Sequence, residues 1–69
     1  MQKTSLKTLG QRIKKARKNK GLLQVDLAVR VGVSTGYIGS IEQGIRYPSL
    51  KVLQKIAKQL KVNLSQLLQ

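Results

Sequence analysis

The side chains that could carry catalysis are nearly absent from this chain. Its 69 residues include no cysteine and no histidine, and Asp26 and Glu42 are its only acidic residues. General acid-base catalysis needs a positioned titratable group, and nucleophilic catalysis needs a base beside the nucleophile, so neither arrangement is expected here. Disulfides and the usual zinc sites are excluded for the same reason. We therefore expect a protein that is not an enzyme and that binds no metal and no cofactor.

Positive charge is the chemical property that the sequence has in excess. Fourteen lysines and arginines oppose two acids, which gives a formal net charge of +12. A surface this basic usually has a polyanion as its partner, and a solvated face is the alternative for any single lysine. No apolar run approaches the roughly 20 residues that a bilayer span requires, and no signal-peptide core begins the chain. The sequence predicts a cytoplasmic, nucleoid-associated protein with no membrane partner.

Residues 24–43 have the pattern of two short helices joined by a tight turn. Gly32 lies where the chain must adopt a left-handed conformation, and the Ser34 hydroxyl can cap the second helix. Apolar spacing gives each helix one inward face, made of Leu27, Ala28 and Val31 in the first and of Val33, Ile38 and Ile41 in the second. The outward face of the second helix carries Thr35, Gly36, Gly39, Ser40 and Gln43. This pattern is typical of a helix-turn-helix and favours nucleic-acid binding, with a helical hairpin of no DNA role as the alternative.

Three further helices are expected around this unit, so the predicted fold is all-α, a compact five-helix domain over residues 1–69. The predicted helices run from Leu6 to Asn19, Gln24 to Val31, Thr35 to Gln43, Leu50 to Leu60 and, after Asn63 as cap, through Leu68. Ser5 and Ser49 are the expected caps of the first and fourth helices. The expected core face of the fourth helix consists of Leu50, Leu53, Ile56, Ala57 and Leu60.

These residues resemble the phage-repressor and Cro-like helix-turn-helix domains, also called the xenobiotic-response-element type. The resemblance extends from about Leu9 to Leu68 and rests on many fixed spacings. The matching positions are Gln24, Leu27-Ala28, Gly32-Val33-Ser34, Tyr37-Ile38, Ile41-Glu42, Gly44, Pro48-Ser49-Leu50, Leu53, Ile56-Ala57, Leu60, Val62 and Leu64. The resemblance implies a homodimer on a palindromic operator of double-stranded DNA, with the third helix in the major groove.

The resemblance also implies roles for individual residues. It places base contacts at Thr35, Gly36 and Ser40, with Tyr37 and Gln43 beside them as further base-contact candidates. For Tyr37 the alternatives are a phosphate contact and covering the core. The resemblance places phosphate contacts at Gln24, Ser34, Gly44 and Arg46, where a helix N-terminus, loop amides and the arginine charge are suitable donors. It implies a partly buried ion pair between Arg17 and Glu42. The candidate dimer contacts are Leu64, Leu67 and Leu68, whose alternative role is to close the core.

Glycine is unexpected at two positions of the reading helix. Gly36 presents only backbone, and threonine and serine discriminate bases weakly, so we expect specificity to depend on DNA shape and half-site spacing. The alternative is that Gly36 and Gly39 only permit close approach of the backbone.

The predicted function is a sequence-selective, non-catalytic transcriptional regulator, a repressor. One alternative is a protein-interaction module of the same fold, such as an antitoxin or an adaptor with an additional protein partner. Others are the excised DNA-binding domain of a longer regulator and a cationic membrane-active protein, which the low aromatic content disfavours.

Overall fold

The computed structural model describes residues 4–69, which form five helices joined by short turns and no strand. The helices are α1 (Leu6–Asn19), α2 (Gln24–Val31), α3 (Thr35–Glu42), α4 (Leu50–Leu60) and α5 (Leu64–Leu68). The predicted all-α, five-helix fold is confirmed. The one difference in helix bounds is at α3, where Gln43 is the C-cap rather than the last helical residue. None of the five helices is both long enough and apolar enough to cross a membrane.

Serine hydroxyls begin three of the helices at the predicted positions. Ser5, Ser34 and Ser49 accept hydrogen bonds from the backbone N–H groups three residues later, at 3.1, 3.0 and 3.2 Å. Each bond provides an acceptor for one of the N–H groups that a helix start leaves without an intrahelical partner. The positions of α1, α3 and α4 along the chain are therefore set by local sequence.

The other two helices begin with a hydrogen bond in the opposite direction, from the N–H of the residue before the helix to the side chain three residues later. The Leu23 N–H donates to the Asp26 carboxylate at 2.7 Å, because leucine has no oxygen with which to cap α2. In the same way the Asn63 N–H donates to Gln66 Oε1 at 2.7 Å. Asn63 is the N-cap residue of α5, as predicted, but its side chain makes no cap hydrogen bond. In both helices this bond is one of the two hydrogen bonds of a capping box.

The core lies between all five helices. Its buried apolar side chains are Leu9, Ile13, Leu27, Ala28, Val31, Ile38, Ile41, Leu53, Ile56, Ala57, Leu60 and Leu67. The prediction that Leu50 lies on the core face of α4 is wrong, because this side chain is 60% exposed. It is the first residue of α4, and the inward stripe of that helix begins only at Leu53.

The C-terminal end of α5 is fastened to the N-terminal part of the chain. Arg12 donates from Nη1 to the Leu67 carbonyl at 3.2 Å and from Nη2 to the Gln69 carbonyl at 2.7 Å. The Thr4 hydroxyl donates to the Leu68 carbonyl. Terminal carbonyls of a helix have no intrahelical donor and attract cations, so these contacts stabilise a helix that is too short to form alone.

Lys61 ends α4 in a conformation that suits glycine better than lysine. Its φ is 56°, which makes it the one non-glycine residue of the described range with positive φ. We expect Lys61→Gly to raise the free energy of unfolding by about 1 kcal/mol, because a left-handed conformation costs an L-residue about that much or more. Thermal unfolding followed by circular dichroism measures the change. The control Lys58→Gly, inside the same helix, should lower stability by about 1 kcal/mol; equal effects of both variants would contradict the prediction.

Candidate nucleic-acid interface

The turn between α2 and α3 fixes how these helices cross. Gly32 adopts φ 84° and ψ 34°, and its N–H donates to the Ala28 carbonyl at 2.8 Å. The Val33 N–H donates to the same carbonyl at 3.0 Å. Ala28 is 2% exposed, so its small side chain lies where the two helices pack closely. The turn therefore presents one face of α3 to solvent while Ile38 faces the core.

The solvent-facing side of α3 is small and polar. Thr35, Gly36 and Gln43 are exposed, whereas Tyr37 and Ser40 are half-buried. The Ser40 hydroxyl donates to the Gly36 carbonyl at 2.9 Å, so its proton is bonded within the helix while its oxygen can still accept. Thr35 and Gln43 are thus the exposed polar side chains of this face.

A buried ion pair joins α1 to the end of α3. Arg17 donates from Nε to Glu42 Oε2 at 2.6 Å and from Nη2 to Oε1 at 3.0 Å, in the two-bond geometry typical of arginine and carboxylate. Its Nη1 donates to the Leu22 carbonyl at 2.6 Å. Arg17 is 5% exposed and Glu42 is 7% exposed. The pair implied by the resemblance is thus present, and it also fixes the turn that leads into α2.

Gln24 belongs to the same hydrogen-bond network. Its Nε2 donates to Glu42 Oε1 at 3.0 Å, a contact that sequence reasoning did not include and that no local signal indicates. A primary amide has two N–H donors, so one remains for an external acceptor such as a phosphate. Glu42 therefore orients the Gln24 amide at the N-terminal end of α2, where a helix attracts anions.

The loop after α3 folds back onto that helix. The Gly44 N–H donates to the Ile41 carbonyl at 3.0 Å, and the N–H groups of Ile45 and Arg46 donate to the Ser40 carbonyl at 2.9 and 3.3 Å. This corrects the expectation that the amides of Gly44 to Arg46 would donate to phosphate, because each already has an acceptor within the chain. Gly44 instead allows the fold of the loop through its φ of 77°. The side chain of Arg46 is the donor that this loop offers.

Gly10 is a structural requirement that sequence reasoning missed. A Cβ at this position would lie 2.3 Å from the Ile41 carbonyl oxygen and 2.7 Å from that of Glu42. The backbone of α1 therefore lies directly on the C-terminal end of α3. An isolated glycine inside a predicted helix was the available signal, since it often marks such a close approach.

This arrangement of helices matches a known protein family. The family model HTH_3, described as Helix-turn-helix, matches residues 13–67. The chain belongs to the HTH_3 helix-turn-helix family. Its resemblance to phage-repressor and Cro-like domains is thereby confirmed, and the family consists of transcription regulators rather than enzymes.

Two relatives have similar sequences but longer chains. The transcriptional regulator SinR of Bacillus subtilis is 41% identical over 61 residues, which cover 87% of this HTH_3 chain and 55% of SinR. The immunity repressor of Bacillus phage phi105 is 41% identical over 58 residues, which cover 84% of this chain and 40% of the repressor. The matched segment therefore spans about half the length of these two relatives.

Solved structures agree with this assignment. The restriction-modification controller protein C.AhdI from Aeromonas hydrophila matches with a TM-score of 0.86 and 37% identity, over 90% of this chain and 94% of C.AhdI. A structure of SinR, the master regulator for biofilm formation, in complex with DNA matches with a TM-score of 0.81 and 40% identity, over 86% of this chain and 95% of that one.

The two unexpected glycines of this HTH_3 domain differ in their surroundings. A Cβ on Gly36 would have nothing within 4 Å, and a Cβ on Gly39 would be in ordinary contact, 3.7 Å from Gln24 Oε1. Packing within the chain therefore requires glycine at neither position.

The candidate dimer residues are less exposed than a contact patch would need. Leu67 is 2% exposed and belongs to the core, which corrects its assignment as a dimer contact and favours its alternative role. Leu64 and Leu68 are half-buried against that core. A dimer through α5 would use the outer parts of these two side chains.

The cations of the described residues lie on elements other than α3. α3 contains no lysine and no arginine. The exposed lysines of α1 and α4 are Lys7, Lys14, Lys15, Lys18, Lys51, Lys55 and Lys58. Arg46 is the cation that lies over α3 itself, 5.3 Å from the centroid of the Tyr37 ring. This distribution suits neutral contacts by the exposed face of α3 and a phosphate contact by Arg46 beside it.

Proposed function

We propose that this chain binds double-stranded DNA sequence-selectively, with α3 in the major groove, and that it regulates transcription as a repressor. The observation that carries the proposal is the exposed polar face of α3, held beside the oriented Gln24 amide by the Glu42 network. The SinR structure in complex with DNA supports it by similarity. A major groove admits one α-helix, and neutral side chains can contact base edges there.

The proposed contacts follow the geometry of the site. Base edges would be contacted from the α3 face by Thr35, Gly36, Ser40 and Gln43. Phosphates would be contacted by the second amide N–H of Gln24, by the Ser34 hydroxyl proton and by the Arg46 guanidinium. We further propose that residues 1–69 act as one non-catalytic domain in the cytoplasm and that two copies bind a palindromic operator.

Salt dependence is the test of DNA binding. We expect affinity for duplex DNA to fall steeply as salt rises, because each neutralised phosphate contributes about −0.9 to the slope of log K against log salt. Arg46→Ala should reduce the size of that slope by about one unit per protomer. The measurement is fluorescence anisotropy with a labelled duplex recovered by selection from a random pool.

A matched control distinguishes a phosphate contact by Arg46 from the effect of removing any one positive charge. Lys55→Ala removes one charge from the outer face of α4 and should leave the slope almost unchanged. The recovered sequences should form a two-fold symmetric motif with few invariant G·C pairs, since α3 offers no bidentate arginine or lysine. Absence of duplex binding at low salt would overturn the proposal and favour the protein-interaction alternative.

A further inference from the structure

We propose that Tyr37 is a positioning residue for Arg46, and that it acts on DNA through this arginine and makes no base contact of its own. The inference rests on the proposed function and goes beyond it, because it gives Tyr37 a different role from the base contact that family resemblance implies. The observation behind it is the position of the Arg46 guanidinium, 5.3 Å from the centroid of the Tyr37 ring.

The Tyr37 ring is the fixed partner of this cation–π contact. Tyr37 is half-buried and packs against the hydrophobic core, and its N–H donates to the Ser34 cap at 3.0 Å in the first turn of α3. Arg46 is exposed and lies in a loop, and its long side chain has many rotamers in solution. A cation within about 6 Å of an aromatic centroid is attracted to the face of the ring. The ring therefore restricts where the guanidinium can lie.

The backbone of Arg46 is held by the same helix. The Ser40 carbonyl, less than one turn after Tyr37, accepts hydrogen bonds from the N–H groups of Ile45 and Arg46 at 2.9 and 3.3 Å. A Cβ on Gly44 would lie 2.9 Å from the Lys7 Cα, so α1 packs closely against the start of the loop. Thus α3 fixes both the backbone and the side chain of Arg46.

The charge of Arg46 remains available for an external anion. Both carboxylates of the chain have partners elsewhere, because Asp26 accepts from the Leu23 N–H and Glu42 is buried against Arg17 and Gln24. Attraction to the ring face uses no hydrogen bond of the guanidinium, so its N–H groups can bind a phosphate with two hydrogen bonds. This cation–π contact is therefore suited to presenting an arginine to the DNA backbone beside α3.

A double-mutant comparison tests the proposal. We expect Tyr37→Leu to weaken binding to the selected duplex about two- to fivefold, the factor that an exposed cation–π contact provides. Tyr37→Phe should bind like the wild type, because the ring face is kept and only the hydroxyl is lost. Arg46→Ala should weaken binding more than Tyr37→Leu, and adding Tyr37→Leu to Arg46→Ala should cause no further loss.

A DNA-free measurement accompanies the binding data. In the free protein, nuclear magnetic resonance should show the Arg46 side-chain protons shifted by the ring current of Tyr37, with the shift kept in Tyr37→Phe and lost in Tyr37→Leu. The control Tyr47→Leu changes the neighbouring exposed tyrosine and should alter neither the shift nor the affinity. Thermal unfolding of each variant identifies any loss of binding that comes from unfolding.

Additive losses from Tyr37→Leu and Arg46→Ala would overturn the proposal, and so would a loss in Tyr37→Phe as large as in Tyr37→Leu, since both results would indicate direct contact by Tyr37. An unshifted Arg46 resonance in the wild type would overturn it without reference to DNA. If the wild type bound no duplex while the shift was present, the proposed function would fail and the role of Tyr37 in DNA binding would fail with it.

Discussion

Replacing Glu42 with glutamine is expected to lower the free energy of unfolding by about 3 kcal/mol or more, because the buried Arg17 charge then has no counter-charge. Arg17 is 5% exposed and donates two hydrogen bonds to this carboxylate. A small domain has a free energy of unfolding of only about 5 kcal/mol or somewhat more, so this variant should lose a large part of its stability. Thermal unfolding by circular dichroism should show a midpoint lower by at least roughly 10 °C.

Two further variants define the cause of this loss. Asp26→Asn changes the other acid, which is half-buried and bonds only the Leu23 N–H, so it should cost about 1 kcal/mol. The double variant Arg17→Met with Glu42→Leu removes both charges and should recover much of the stability that Glu42→Gln loses. Equal melting temperatures for Glu42→Gln and the wild type would show that the pair does not stabilise the fold.

Gly10→Ala is expected to destabilise the protein by about 2 kcal/mol or more, as overpacked sites do. The added Cβ would lie 2.3 and 2.7 Å from the carbonyl oxygens of Ile41 and Glu42, which are backbone atoms and cannot turn aside as a side chain could. The C-terminal end of α3 would have to move away from α1, which would also disturb the Arg17 hydrogen bonds. Thermal or denaturant unfolding measures the effect.

The same substitution at Gly36 is the matched control. A Cβ there meets nothing within 4 Å, so Gly36→Ala should raise stability by at most about 1 kcal/mol, the difference in helix propensity within a helix interior. Opposite signs for the two variants are the expected result. A gain in stability for Gly10→Ala would contradict the close helix contact that the structure places at this residue.

Much of the fold was predictable because its determinants are local. The spacing of Leu27, Ala28 and Val31, the serine caps and the left-handed glycine after α2 all act within a few residues of one another, so the sequence predicted the bounds of four helices correctly. The errors came at helix ends. Leu50 fits the apolar spacing of α4 but extends beyond the core, and spacing alone does not indicate where neighbouring helices end.

The candidate site was predictable only in part. Resemblance placed Arg17 beside Glu42, and the structure contains that pair, but it also assigned loop amides to phosphate that the structure shows bonded to carbonyls of α3. The contact of Gln24 with Glu42 joins residues 18 positions apart in the chain. Such a contact depends on side-chain rotamers and on how two helices cross, and neither is encoded in spacing.

The sequence by itself determined that this chain is a basic, all-α helix-turn-helix of five helices, because composition, helical periodicity and capping are properties of short segments. Only the tertiary structure decided that Glu42 orients Gln24, that Gly10 lies against the end of α3 and that Arg46 lies over Tyr37. Those contacts arise when distant segments pack, and their geometry is set by the close-packed interior and by the need of each buried polar group for a partner.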